Sequence, residues 1–143
     1  MNEKVTIRRL KTGIPGMDDL LGGGLPEFSF NLIAGAPGSG KTTLAHQIMF
    51  SLANPDSRAL YFTVLGEPAL KMLRYQQQFA FFDIGKVHDS IRFVNLSADL
   101  MEGDFDQVLT RINEEVRDFT PSLVFVDSFR SVMQAAKPEV ECL

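Results

Sequence analysis

Short apolar runs alternate with amphipathic segments along most of the chain. Residues 28–34 (Phe-Ser-Phe-Asn-Leu-Ile-Ala), 58–65 (Arg-Ala-Leu-Tyr-Phe-Thr-Val-Leu), 91–96 and 123–126 each read as a strand. Between them, 42–53 has the pattern of an amphipathic helix, and Pro68 suits the first position of a second helix running to about 78. Gly103-Asp104 opens a third, with Phe105, Val108, Leu109, Ile112 and Val116 on one stripe at the 3.6-residue period, and Thr120-Pro121 breaks it. A last helix begins near Phe129. Strands that are apolar throughout and alternate with helices predict a parallel sheet covered on both faces. Right-handed crossovers then make an open three-layer α/β/α domain. Ligands of such sheets bind beyond the carboxyl ends of the strands.

The turn between the first strand and the first helix carries the chemistry. Residues 35–42 are Gly-Ala-Pro-Gly-Ser-Gly-Lys-Thr, a complete G-x-x-x-x-G-K-[ST] phosphate loop. Two fixed glycines, a lysine and a Ser/Thr arise by chance in roughly one chain in a few hundred of this length, and the strand–loop–helix context lowers that further. Backbone N–H groups of Gly35, Ala36, Pro37, Gly38, Ser39, Gly40 and Lys41 (Pro37 excepted) can line a phosphate, helped by the helix dipole. Lys41 reaches the β- and γ-phosphates, Thr42 can place its hydroxyl on Mg²⁺, and Thr43 completes the nucleotide-binding set.

Two carboxylates sit just past later strands. Asp127 ends Leu123-Val124-Phe125-Val126, the Walker B pattern, and can complete the Mg²⁺ site begun by Thr42. An Asp in this position before Ser128 is equally placed to cap a helix. Glu67, after the second strand, can orient or deprotonate the water that attacks the γ-phosphate, or simply be a solvated loop residue beside Pro68. His46 falls on the polar edge of the first helix and His88 in the turn before the third strand, neither with a metal-ligand partner at useful spacing. The aromatic-rich stretch 76–82 reads as helix-end packing rather than a base-stacking platform.

Composition narrows the classes. The 143 residues fit one domain, with 45% apolar residues and a net charge of −4. No apolar run approaches the roughly 18 residues that span a bilayer, so no membrane partner is expected. The single cysteine, Cys142, can form neither an internal disulfide nor a zinc site, which fits a reducing cytoplasm. The acidic balance argues against a strong non-specific hold on nucleic acid, and Arg8, Arg9 and Lys11 are too short a cluster for a nucleic-acid patch.

The leader, residues 1–27, is the most specific segment. Thr12-Gly13-Ile14-Pro15-Gly16-Met17-Asp18-Asp19-Leu20-Leu21-Gly22-Gly23-Gly24-Leu25-Pro26, with a short helical turn ended by the glycines, closely resembles the KaiC family when followed by this phosphate loop. These are ATPases of the RecA superfamily, related to RadA, and the resemblance runs from about residue 9 to Asp127. It implies a RecA-like fold with a core from residue 28 to 143, and ATP rather than GTP, in keeping with the absence of an Asn-Lys-x-Asp guanine motif. It also implies Mg-dependent hydrolysis in ring or filament homo-oligomers that drive signalling, timing or DNA transactions, with Lys41 and Thr42 as Walker A residues and Asp127 as Walker B. Two positions depart from the family pattern. Leu65-Gly66-Glu67-Pro68 replaces adjacent glutamates, and Phe28 stands where glycine is common. RecA-type domains continue past Walker B, with one later strand inserted beside the phosphate-loop strand, so the expectation is a domain truncated after the Walker B strand. Two other readings stand beside the ATPase: a nucleotide-binding or scaffold module without turnover, and a small-molecule kinase. The kinase would need a lid arginine cluster, whereas Arg111, Arg117 and Arg130 are scattered.

Overall fold

The first of two units, Met1–Leu52, starts with a ribbon. In the computed structural model, which describes residues 3–64, 69–102 and 105–136, β1 (Arg9–Leu10) pairs antiparallel with β2 (Leu25–Pro26), in register Arg9↔Pro26 and Leu10↔Leu25. The loop they enclose holds α1 (Met17–Leu20), which is the helical turn expected there, entered through Gly16 at φ 80°. One carboxylate organises it. Asp18 Oδ1 accepts the Thr12 N–H at 2.9 Å and the Thr12 hydroxyl at 2.8 Å, and Thr12 Oγ1 accepts the Ile14 N–H at 3.2 Å. Thr12 is fully buried, so this cluster satisfies polar groups that water does not reach. These hydrogen bonds from Thr12, the backbone one first, hold the Asp18 carboxyl below its ordinary 3.8.

The strand expected at 28–34 does not form. Residues 29–36 carry neither strand nor helix, and Phe28, Phe30 and Leu32 are 98%, 80% and 69% exposed. A strand needs a ladder to satisfy its N–H and C=O groups and a face to bury. The ribbon of this unit ends with the Glu27 N–H on Arg8 O, and among the described residues no strand pairs with the segment beyond it. Phe28 has φ 55°, a left-handed backbone that accounts for a glycine preference at this position.

The helix that follows, α2 (Lys41–Leu52), agrees with its expected bounds to within a residue. It buries His46, Ile48, Met49 and Phe50. His46 is therefore not on a polar edge: 46, 49 and 50 follow the i, i+3, i+4 spacing of one face, and that face is apolar.

The second unit, Ala53–Leu143, is built on a three-stranded parallel sheet in the order β4-β3-β5. Here β3 is Ala59–Thr63, β4 is Ile91–Asn95 and β5 is Leu123–Asp127. The register pairs Thr63 with both Asn95 and Asp127. Alternation divides the strands into two faces. Leu60, Phe62 and Val94 point to one, where Leu96 and the helix α6 (Phe105–Phe119) complete a core through Val108 and Phe119. Ile112 and Val116 extend the same stripe, as the 3.6-residue period required. Ala59, Tyr61 and Thr63 point to the other face and are also buried.

The crossovers contain more helix than the pattern predicted. α3 (Ala69–Gln76) was expected, but α4 (Ile84–Asp89) and α5 (Ser97–Met101) were not. Asp83 starts α4 by accepting the Gly85 N–H at 3.0 Å, which places His88 on a helix rather than in a turn. At the end of α3, Tyr75 packs against Phe79, and Phe79 stacks on Phe81, with centroids 5.7 and 5.3 Å apart, in line with helix-end packing. The last element is α7 (Phe129–Ala136). Among the described residues, no helix is long and apolar enough to cross a membrane.

Candidate functional site

The phosphate loop is a turn followed directly by a helix. Ser39 donates its N–H to Ala36 O at 3.1 Å, closing a four-residue turn with Pro37 second and Gly38, at φ 77°, third. Proline then positive-φ glycine is the type II arrangement. Gly40 is also left-handed, at φ 93°, and hands the chain to α2, whose Leu44 N–H reaches Gly40 O at 2.9 Å. At either position a side chain costs roughly 1–2 kcal/mol in backbone strain. At Gly35 a Cβ would lie 2.7 Å from Ser39 Oγ, so the serine hydroxyl would have to turn aside.

Lys41 folds back across the loop. Its Nζ donates to Gly35 O at 2.8 Å and to Ala36 O at 2.9 Å, which holds the ammonium over the turn rather than out in solvent. A cavity of about 590 Å³ opens here, lined by Ile33, Ala34, Gly35, Ser39, Gly40, Lys41, Thr43, Leu44 and Gln47. None of these residues is acidic, and the lining adds a cation to the positive end of a 12-residue helix. Such a cleft favours an anion. Of the residues expected to bind nucleotide, Gly35, Ser39, Gly40, Lys41 and Thr43 line the cavity; Ala36, Pro37, Gly38 and Thr42 do not. Ala36 and Gly38 instead shape the turn. Leu44 and Gln47 were missed, although Gln47 stands i+4 from Thr43 on the same face of α2.

Asp127 lies in the second unit, at the carboxyl end of β5. Its Oδ2 accepts the Tyr61 hydroxyl at 2.7 Å. Tyr61 is fully buried, and burial first, then the Asp127 charge, pushes its phenol well above the ordinary tyrosine range. The peptide after Asp127 is cis. The start of α7 is held by Ser128, which accepts the Ser131 N–H on its backbone oxygen at 3.1 Å and on Oγ at 3.4 Å. Ser128 thus caps the start of α7, while the Asp127 side chain has Tyr61 among its contacts. Tyr61 was not expected as a site residue. Its partner is 66 positions away, and only the β3–β5 register brings them together. Glu67 lies outside the described residues. Among those described, no cluster of three or more His, Cys, Asp and Glu side chains is arranged to hold a metal.

Comparison with known proteins agrees with this loop chemistry. The chain is 29% identical over 139 residues to a UPF0273 protein of Pyrococcus furiosus, covering 85% of this chain and 55% of that one. It is 29% identical over 140 residues to the circadian clock oscillator protein KaiC of Prochlorococcus marinus, covering 92% and 27%. It is 36% identical over 125 residues to the DNA repair protein RadA of Mycolicibacterium smegmatis, covering 87% and 23%. The chain thus spans about half the length, or less, of these curated relatives. A family model described as "ATPase: KaiC" matches residues 10–141, almost the whole sequence. With its glycine-bounded loop, its overarching lysine and its parallel sheet, the chain belongs to the KaiC ATPase family, within the RecA/RadA superfamily.

Proposed function

We propose that this chain binds Mg-ATP on the 35–43 loop and hydrolyses it, as part of a cytoplasmic homo-oligomer. The observation that carries the reading is the Lys41 ammonium held over a turn whose glycines are left-handed. Phosphate oxygens compete directly for the proton donors that Lys41 now gives to the Gly35 and Ala36 carbonyls. Loop N–H groups ahead of the helix would add uncharged donors for the same anion. Thr43, Leu44 and Gln47 bound the rest of the cleft.

Magnesium, when bound, would neutralise part of the phosphate charge. Thr42 is its protein contact on the loop in this reading. Glu67 orients the attacking water. The clock and repair relatives carry names for different processes, so the nucleotide cycle is the part this chain is proposed to share with them.

Steady-state phosphate release tests the proposal. Wild-type chain should release phosphate only with Mg²⁺, at a specific rate that rises with protein concentration. Lys41→Ala should reduce the rate at least 100-fold, in the range seen when one transition-state contact of this type is removed. Equal rates for wild type and Lys41→Ala would contradict it. A second reading, binding with negligible turnover, is supported by residues 29–36, which feed the loop without a ladder to brace it. Tight Mg-ATP binding without phosphate release would select that reading.

A further inference from the structure

The cavity beside the phosphate loop continues past the residues that hold phosphate. α2 and the glycine that enters it line the cavity with Gly40, Thr43, Leu44 and Gln47, the i, i+3, i+4 and i+7 positions of one stripe. A different face of the helix packs inward, the one that carries His46, Met49 and Phe50. Ile33 and Ala34, in the segment that leads into the loop, add apolar surface to the lining. Gln47 stands roughly 9 Å down the helix axis from Lys41, at about 1.5 Å per residue. Helical side chains lean toward the N-terminus of their helix, so from that depth its amide reaches back toward the loop. Gln47 is half-buried, and no hydrogen bond ties its side-chain amide to another of the described residues.

The polar groups along this stripe come in the same order as the groups of a nucleotide. With the β- and γ-phosphates under Lys41, the α-phosphate falls beside Thr43 in the first turn. A single methylene then leads to the ribose, and the next polar side chain on the stripe, one turn further on, is Gln47. A carboxamide both donates and accepts hydrogen bonds, and so does each hydroxyl of a vicinal diol. Ile33, Ala34 and Leu44 offer carbon surface to the C–H groups of a sugar, and the lining carries no charge besides Lys41. The cavity, about 590 Å³, has the size of an ordinary small-molecule site. We propose that Gln47 binds the ribose hydroxyls of the nucleotide, so that this site prefers a ribonucleotide to its deoxy counterpart. This rests on the reading that Lys41 and its loop hold the triphosphate.

The test is displacement of an adenine-labelled ATP from the full chain, with Mg²⁺ present, by ATP, 2′-deoxy-ATP and inorganic tripolyphosphate. Wild type, Gln47→Met and Lys41→Ala are compared. Methionine keeps the length and helix preference of glutamine and removes the amide. Wild type should bind ATP about 5–10-fold more tightly than 2′-deoxy-ATP, the scale of one neutral hydrogen bond. Gln47→Met should erase that ratio and leave tripolyphosphate binding where it was, whereas Lys41→Ala should weaken all three ligands. A merely structural role for Gln47 would weaken the three by one common factor and keep the ratio. If wild type binds ATP and 2′-deoxy-ATP equally, or Gln47→Met keeps the ratio, the ribose contact is overturned and the phosphate-loop reading stands. If wild type binds none of the three, or Lys41→Ala binds them as tightly as wild type, the loop reading has failed and the ribose contact falls with it. Should Gln47→Met melt below the assay temperature, Gln47→Asn keeps the amide and shortens its reach by one methylene. It should lower the ratio, and an unchanged ratio overturns the proposal.

Discussion

The three glycines that close the leader should differ sharply in their tolerance of alanine. Gly22, Gly23 and Gly24 have φ 68°, 118° and 131°, so each costs backbone strain when a Cβ is added. At Gly22 a Cβ meets nothing within 4 Å, and the φ is that of an ordinary left-handed residue, so Gly22→Ala should cost about 1 kcal/mol. At Gly23 the added carbon lies 3.8 Å from Arg9 Cβ, ordinary contact, but the φ is reached almost only by glycine, which suggests about 2 kcal/mol. At Gly24 it would lie 2.6 Å from the Leu10 carbonyl carbon and closer still to its oxygen. That carbonyl is backbone of β1 and cannot rotate aside, so β1 and β2 must separate. Gly24→Ala should cost roughly 3–5 kcal/mol, a large part of a typical total of about 5–15 kcal/mol. Hydrogen exchange gives a local readout. The Glu27 N–H, bonded to Arg8 O at 2.8 Å, reports the ribbon directly, without assuming that the two units unfold together. Its protection should fall slightly in Gly22→Ala, more in Gly23→Ala and be lost in Gly24→Ala. Equal protection in Gly22→Ala and Gly24→Ala would refute the close-approach argument.

Other consequences are as direct. Phe28→Gly removes a left-handed phenylalanine that is 98% exposed, so the chain should keep or gain stability in a urea titration and bind less of a hydrophobic dye. Val108→Ala leaves a void under Leu60 and Phe62 and should cost about 2–3 kcal/mol by the same titration. Thr12→Val removes one of the donors that hold the Asp18 carboxyl below 3.8. A depressed folded value stabilises above the unfolded one and is lost as pH falls through the folded value. The stability gap between wild type and Thr12→Val should therefore be full at pH 7 and shrink below about pH 4.

Much of this was legible in the sequence because local rules and tertiary placement agree there. The 105–116 stripe at 3.6 spacing became α6, and the runs at 58–65, 91–96 and 123–126 became parallel strands shortened or shifted by a residue or two at their ends. The loop motif carries its own geometry, since Pro37-Gly38 selects the turn and Gly40 the helix entry. The run 28–34 misled because apolar content says what prefers burial, not whether a neighbouring strand exists to pair with it. His46 misled because a single polar residue on an otherwise apolar face was weighed by its type rather than by its phase with Met49 and Phe50. The ribbon of Arg9–Leu10 with Leu25–Pro26 has two residue pairs, too few to show alternation. The Tyr61–Asp127 bond depends on register between strands 66 residues apart, which no local pattern encodes.

The most direct test of the central claim is calorimetric titration of Mg-ATP into the full chain beside Lys41→Ala. The account predicts saturable binding near one nucleotide per chain by wild type and no measurable heat with Lys41→Ala. Equal affinity in the two would contradict it, because the lysine that bridges Gly35 and Ala36 would then have no part in holding phosphate.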